Sequence, residues 1–247
     1  KERIIKGAGN SDVAIVEIGG TVGDIESQPF LEAIRQMKID LQSYQTLYMH
    51  LTLLPFLKSA GETKTKPTQR SVKEMLSHGL QPDILVCRSD KPMEEEERKK
   101  IALFTNVKPN AVISMPDVDS IYKIPIELNY QKVDEIVLEK FKLNSSKKPN
   151  LRDWRKVIKE DLEPKEFVKI SMVGKYTELA DAYKSLNEAL KHGGFKNNLK
   201  VDIDYVDSEK LDSKNVHRKL GKSDAILVPG GFGERGIEGM VTAVKYA

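Results

Sequence analysis

The feature that most constrains the fold of this chain is an alternation of short apolar runs with helical segments. In the first half, the apolar runs are rich in β-branched residues, which is typical of strands buried on both faces of a parallel sheet. Pro29 and Pro67 stand where a first helical residue is favoured, and Gly79 stands where a helix ends. The alternation predicts a parallel sheet with helices on both faces. The predicted strands are residues 13–18, 47–56, 83–89 and 111–115.

A polar segment separates this half from a second alternation of the same kind. Residues 141–157 are rich in Asn, Ser, Lys and Pro, which indicates a linker in which Trp154 docks a short helix. The helix that follows the first strand of the second half is predicted to end at Gly193. The predicted strands here are residues 167–174, 201–207 and the run that precedes the glycine-rich turn at 229–236.

The fold class predicted from these patterns is α/β, with two doubly wound parallel-sheet domains. They span residues 1–141 and 165–247, and a linker at 142–164 joins them. A length of 247 residues with 39% hydrophobic residues provides enough apolar material for two cores.

Composition limits the classes of partner. The net charge is +3 and the basic residues are scattered, so nothing requires a nucleic-acid partner. No apolar run approaches the roughly 20 residues of a membrane span, and no signal peptide is recognisable. The single cysteine, Cys87, excludes an internal disulfide and indicates a reducing compartment. We therefore expect a cytoplasmic protein that binds neither nucleic acid nor membrane.

Charged residues follow the predicted strands of the first half at the points where each strand ends. Ligands bind at the carboxyl ends of strands in open α/β sheets. Carboxylates there can hold Mg²⁺, and lysines can bind phosphate oxygens. The alternative is that these loops are simply polar, but complementary charge at several strand ends favours a site. The acids are Glu17, Asp24, Glu26, Asp117 and Asp119, and the bases are Lys58, Lys64, Lys66 and Arg88.

Two further features bear on catalysis. The phosphate-binding pattern GxxxxGK[ST] is missing, because neither Ser nor Thr directly follows Gly174 and Lys175. Phosphates therefore bind in another way, or the loop belongs to a part of the protein outside this sequence. The turn PGGFGERG can point backbone N–H groups at an anion, as an oxyanion hole does. Acyl transfer also needs a nucleophile, and Cys87 is predicted to be a buried core residue instead.

Seven strings, in this order, resemble the CTP synthase family and cover nearly the whole chain. They are EIGGTVGDIES, GETKTKPTQ, VCRSD, DVDSIYKIP, MVGKYTELADAYKS, EALKHGG and DAILVPGGFGERG. The resemblance implies a P-loop-like synthetase domain followed by a class I glutaminase domain. In that family glutamine hydrolysis supplies ammonia, ATP phosphorylates O4 of UTP, and ammonia displaces the phosphate to give CTP.

The resemblance also assigns site residues. Glu17 is implied as a Mg²⁺ ligand beside the ATP phosphates, and Gly230 and Gly231 are implied as the glutamine site, with Gly230 in the oxyanion hole. The adenine side of the ATP site is implied at Pro116, Asp117 and Val118. The UTP and CTP site is implied at Asp24, Ile25, Glu26, Lys64, Thr65, Lys66, Pro67, Thr68, Gln69 and Lys100. Within it, residues 64–69 are implied as the segment that holds the triphosphate.

The same resemblance implies cofactors and partners. Mg²⁺ is the implied cofactor, ATP, UTP and glutamine are the substrates, CTP is a feedback inhibitor, and GTP is an allosteric activator. A homotetramer built as a dimer of dimers is implied as well.

The family's phosphate loop would precede Lys1 and its glutaminase cysteine would follow Ala247. We therefore expect a middle piece in which both domains are incomplete, and which alone neither makes CTP nor hydrolyses glutamine. Two alternatives remain: a non-catalytic module that binds pyrimidine nucleotides, and a switch ATPase. The string KTKPTQ and the second domain speak against the switch ATPase.

Overall fold

The computed structural model describes residues 1–144, 147–177 and 180–247, and the side chains of all of these except residue 180. The chain divides into two compact units, Lys1–Leu151 and Arg152–Ala247. Residues 145 and 146 of the predicted linker lie outside the described residues, as do residues 178 and 179 of the string MVGKYTELADAYKS. In the described ranges, no helix is long and apolar enough to cross a membrane.

The first unit alternates helices and strands. Its helices are α1 Glu2–Ala8, α2 Gln28–Asp40, α3 Lys66–Ser77, α4 Glu95–Thr105, α5 Ile124–Tyr130 and α6 Val133–Lys140. Its strands are β1 Met49–Leu53, β2 Phe56–Leu57, β3 Glu62–Thr63, β4 Ile84–Ser89 and β5 Val112–Pro116.

The central sheet of the first unit is parallel, with strand order β1-β4-β5, while β2 and β3 pair as a short antiparallel hairpin. Successive side chains of a strand point to opposite faces. Leu85 and Cys87 accordingly pack in a cluster with residues of α3 and α4, and Ile84 and Val86 pack with residues of α5 and α6. Both faces of the sheet are therefore covered by helices, which confirms the predicted fold class.

The predicted strand at residues 13–18 is wrong. This segment is irregular, and its apolar side chains face solvent: Ile15 is 96% exposed, Val13 52% and Val16 48%. A strand that is apolar on both sides needs a neighbouring strand and a covering layer on each face. The described residues do not bury this run, so its composition alone does not make it a strand. Glu17 consequently lies in an irregular segment rather than at the end of a strand.

The second unit repeats the architecture on a smaller scale. Its sheet is parallel, with strand order β7-β6-β8. Val173 and Val206 of this sheet pack against Leu220 and Ala243, which lie on the helices α9 and α10. The elements are α7 Arg152–Leu162, β6 Glu166–Gly174, α8 Lys184–Asn197, β7 Leu199–Asp207, α9 Val216–Leu220, β8 Ala225–Leu227 and α10 Ile237–Tyr246.

The predicted end of α8 at Gly193 is also wrong. The helix continues to Asn197 and ends where Asn198 adopts a left-handed conformation, with φ 56°. A Cβ atom on the neighbouring Gly194 would lie 2.6 Å from the carbonyl oxygen of Leu199. Glycine at this point therefore lets the helix approach β7 closely instead of ending it.

Candidate functional site

The carboxyl ends of the parallel strands in the first unit lie side by side. Arg88 is the register partner of Leu53, and Ser89 that of Pro116. The ladder continues past the strands, because the N–H of Asp117 donates to the carbonyl oxygen of Ser89 at 2.9 Å. The loops that leave β1, β4 and β5 therefore emerge from one edge of the sheet, where ligands bind in open α/β folds.

Two lysines act on one carboxylate, Glu62, in the hairpin that follows β1. Lys64 donates a hydrogen bond to the carboxylate of Glu62 and forms an ion pair with it. That hydrogen bond is the main reason why the pKa of Glu62 is lowered, with smaller contributions from the charges of Lys64 and Lys100. Two lysines predicted to bind nucleotide phosphates, Lys64 and Lys100, therefore act on the same carboxylate although 36 positions separate them.

The predicted triphosphate segment continues into the first turn of α3. Thr65 is buried at the N-cap position, and its hydroxyl accepts a hydrogen bond from the side-chain amide of Gln69 at 3.1 Å. Lys66 and Pro67 are exposed at the start of the helix. The N–H groups of a helix start attract anions, and the helix dipole adds to this. Lysines beside such a start form a suitable site for a polyphosphate.

Thr68 differs from the other members of this segment. It is fully buried, and its hydroxyl donates to the carbonyl oxygen of Leu53 at 3.1 Å. The structure therefore uses Thr68 to fasten α3 to the end of β1, and its side chain does not face solvent.

The segment that contains Glu17, Asp24 and Glu26, called here the acidic turn, lies before α2. The carboxylate of Asp24 accepts a hydrogen bond from the backbone N–H of Thr21 at 2.9 Å and stands 3.3 Å from where a Cβ atom of Gly20 would be. The carboxylate of Glu17 stands 3.6 Å from the equivalent point on Gly19. Both carboxylates thus border the same pair of glycines. The adjoining Ile25 and Glu26 are exposed.

This donor set is compatible with Mg²⁺. In the described part of the chain, no three His, Cys, Asp or Glu side chains gather as a metal-binding group. Mg²⁺ does not need such a cage, because one or two carboxylates together with substrate phosphates and water complete its octahedral shell. The hard oxygen atoms of Glu17 and Asp24 fit that requirement.

The acidic turn and the triphosphate segment do not touch each other. Within the described ranges, no hydrogen bond or ion pair joins Glu17, Asp24 or Glu26 to residues 64–69. The acidic turn instead packs against Glu74, since a Cβ atom on Gly23 would lie 3.3 Å from its side chain. Glu74 is eight residues beyond the start of α3, which is roughly 12 Å along the helix axis.

The loop after β5 carries the predicted adenine-side residues. Pro116 and Val118 are half-buried, and Asp117 forms an ion pair with Arg88, whose Nε lies 2.8 Å from the carboxylate. Lys123 hydrogen-bonds to the carboxylate of Asp119 and lowers its pKa. The link between Arg88 and Asp117 was not predicted, although a base and an acid at neighbouring strand ends are visible in the sequence.

The second unit presents the glycine-rich turn between β8 and α10. Pro229 is buried, whereas Gly230 and Gly231 are exposed. Gly233 and Gly236 adopt positive φ angles of 77° and 70°, which favour glycine. A Cβ atom on Gly230 would have no described heavy atom within 4 Å outside its chain neighbours, so a ligand can approach the backbone there.

Cys87 does not contribute a nucleophile. Its side chain is fully buried on β4, and burial raises the pKa of the thiol to about 11. Since the thiolate is the reactive form, Cys87 is a core residue, as predicted.

Comparison with known families agrees with this arrangement. Residues 178–247, which include the glycine-rich turn, match the family model of class-I glutamine amidotransferases. Most of the second unit therefore matches an amidotransferase, and it follows a parallel α/β unit in the chain. Residues 1–143 match the family model of the CTP synthase N-terminus. The chain belongs to the CTP synthase family.

Proposed function

We propose that the protein containing these residues makes CTP from UTP, with ATP as phosphoryl donor and glutamine as the source of ammonia. ATP phosphorylates O4 of UTP, and ammonia then attacks C4 and releases phosphate. Two observations in a chain of this family carry the proposal: Lys64 and Lys66 lie at the start of α3, and the charges of Lys64 and Lys100 both lower the pKa of Glu62.

The three lysines Lys64, Lys66 and Lys100 bind the triphosphate of the pyrimidine nucleotide. Lys64 pairs with Glu62, and a bound triphosphate competes with that carboxylate for the ammonium group. The N–H groups at the start of α3 supply further donors. Thr65 and Gln69 hold this helix start in place through their mutual hydrogen bond. CTP carries the same triphosphate as UTP, so the same lysines bind the inhibitor.

The acidic turn binds the metal ion and the pyrimidine base of the nucleotide. Mg²⁺, when bound, neutralises phosphate charge and polarises the phosphoryl group that is transferred. Glu17 and Asp24 are the carboxylates that would hold it. Asp24, Ile25 and Glu26 form one wall of the pyrimidine pocket, and residues Pro116, Asp117 and Val118 border adenine.

The glycine-rich turn serves glutamine hydrolysis. Backbone N–H groups at Gly230 and Gly231 donate to the oxygen of the glutamine amide carbonyl, where negative charge develops during attack. Cys87 takes no part, because its sulfur is buried in the first unit. Feedback inhibition by CTP, activation by GTP and assembly as a homotetramer belong to the same proposal, and family membership supports them.

The proposal is tested on the full polypeptide that contains these residues. CTP formation from UTP, ATP and Mg²⁺ is measured once with glutamine and once with ammonium, and glutamate release is followed separately. We expect ATP-dependent CTP formation from both nitrogen sources. Binding of UTP without CTP from either source would instead establish the non-catalytic nucleotide-binding module.

A further inference from the structure

The glycine-rich turn is fastened by a buried cation. Lys175 follows β6 directly and is only 6% exposed. Its Nζ donates to the carbonyl oxygens of Phe232 at 2.9 Å and Gly233 at 2.6 Å. Its aliphatic stem passes 3.6 Å from the point where a Cβ atom of Gly231 would lie. Among the described carboxylates, none forms an ion pair with this ammonium group.

Burial of an ammonium group is costly unless its donors are satisfied. The two carbonyl oxygens of the turn supply that satisfaction, and hydrogen bonds from a charged donor are stronger than neutral ones. The backbone of Lys175 is fixed as well: its N–H donates to the hydroxyl of Tyr183 at 3.1 Å, and its carbonyl oxygen accepts from Arg235 at 3.3 Å. Hydrogen bonds therefore fix both the backbone and the side chain of Lys175, and through its side chain they fix the glycine-rich turn.

The bonds made by Lys175 determine the orientation of two peptide planes. In a planar trans peptide the C=O and N–H groups point in opposite directions. The carbonyl groups of Phe232 and Gly233 point at Lys175, so the N–H groups of Gly233 and Glu234 point away from it. The same two bonds limit how far the preceding pair, Gly230 and Gly231, can shift.

We propose that Lys175 is a positioning residue for glutamine hydrolysis, which holds the turn so that its N–H groups at Gly230 and Gly231 meet the substrate carbonyl. The inference rests on the proposed function, because it assigns Lys175 to the glutamine site of that reaction. Lys175 does not touch the reacting atoms. Its loss should therefore lower the rate of glutamine hydrolysis and leave the ammonia-dependent reaction unchanged.

The test uses three variants of the full polypeptide. Lys175→Met keeps the length of the stem and removes the donors, and Lys175→Arg keeps charge and donors. Lys169→Met is the matched control, since Lys169 lies on β6, the strand that Lys175 follows, but pairs with Asp204 at the surface. For each variant, kcat and KM for glutamate release, the rate of CTP formation from ammonium, and the melting temperature are measured.

We expect Lys175→Met to lower kcat for glutamate release at least about tenfold, the factor that one charge-assisted hydrogen bond represents. The ammonia-dependent rate should match that of Lys169→Met, and Lys175→Arg should recover part of the lost rate. The melting temperature shows whether each variant is folded under the conditions of the assay. A wild-type rate of glutamate release in Lys175→Met, or an equal fall of the glutamine- and ammonia-dependent reactions, would overturn the role assigned to Lys175. The proposed function would not be affected by either result.

Two other outcomes are decisive too. If Lys175→Met does not fold, Lys175→Arg and Lys175→Gln are measured in the same way. A selective fall in glutamate release then supports the inference, and any other pattern overturns it. A wild-type protein that makes CTP from ammonium but releases no glutamate would overturn the proposed glutamine site and this inference with it.

Discussion

The two candidate sites are built from different materials. In the first unit, the site consists of charged side chains that pair within one loop, as Lys64 does with Glu62, or between two strand ends, as Arg88 does with Asp117. In the second unit, the site is the backbone of one turn, and the buried side chain of Lys175 donates hydrogen bonds to two of its carbonyl oxygens. The first arrangement suits ligands that carry charge, and the second suits a neutral amide whose oxygen becomes negative only during the reaction.

This difference predicts how each site responds to substitution. A site made of side chains loses one contact at a time, so the effect of each substitution reflects that contact. A site made of backbone has no side chain to remove. It can be damaged only through the residues that position it, such as Lys175 or the packing around α10.

The largest effect is expected at Glu17. In the full polypeptide, Glu17→Gln should lower CTP formation from either glutamine or ammonium at least about a hundredfold, because a clamp on the metal stabilises the transition state by several kcal/mol. Glutamate release should persist, since it depends on the other site. The measurement is CTP formation against Mg²⁺ concentration, with glutamate release as the internal control. Near-normal CTP synthesis in the variant would remove Glu17 from the metal site.

A smaller effect is expected at Lys64. Lys64→Ala should weaken both UTP binding and CTP inhibition, by about 10- to 150-fold, since a hydrogen bond from a charged donor is worth roughly 1.5–3 kcal/mol. The matched control is Lys73→Ala, an exposed lysine further along α3 that is not assigned to the site. Steady-state kinetics with UTP, at several CTP concentrations, measures both quantities. A fall in UTP affinity with unchanged CTP inhibition would show that the two nucleotides do not share Lys64.

The packing beneath the backbone site is tested at Gly239 on α10. A Cβ atom there would collide with the carbonyl oxygen of Ser208, so Gly239→Ala should destabilise the second unit by about 1–3 kcal/mol. Gly193→Ala is the control: it also lies in a helix, but its Cβ atom would meet no described atom within 4 Å. That substitution should stabilise by roughly 0.5–1 kcal/mol. Urea unfolding measures both, and equal stability of the two variants would contradict the packing argument.

Burial explains which strands could be predicted from the sequence. The runs around Ile84 and Val112 are strands because neighbours pair with them and helices cover both faces. Residues 13–18 have the same composition, but the described residues do not cover them, and Ile15 is almost fully exposed. Apolar composition reports that a segment can be buried, and only its neighbours decide whether it is.

Prediction of the candidate sites from the sequence is limited in the same way, because the contacts of each residue depend on the fold. The positions of Lys64 and Lys100 follow from their sequence strings, and their joint effect on Glu62 is an outcome of folding. Thr68 belongs to the same string, yet its hydroxyl is buried against Leu53. The sequence did not indicate the structural role of Lys175, because a lysine after a strand is common. The two carbonyl groups to which it donates lie 57 and 58 residues further along the chain.

The smallest effect concerns His50 and acid. His50 lies on β1, is 8% exposed, and its Nε2 lies 2.9 Å from the hydroxyl of Ser71. Burial lowers the pKa of His50 below its usual 6.5. The unfolded chain therefore binds a proton more readily than the folded one, so the contribution of neutral His50 is fully present above about pH 6.5 and is lost as the pH falls through the folded pKa.

His50→Gln keeps a polar partner for Ser71 and cannot titrate. The wild-type first unit should therefore lose more stability than the variant between pH 7 and pH 5, while the two should respond alike above pH 7. Hydrogen exchange at the amides of β1 measures this local stability, and amides of β6 in the second unit serve as the internal control. Identical pH profiles of the variant and wild type at β1 would show that the ring remains accessible to protons. In that case acid would not distinguish the sheet beneath the charged site from the sheet beneath the glycine-rich turn.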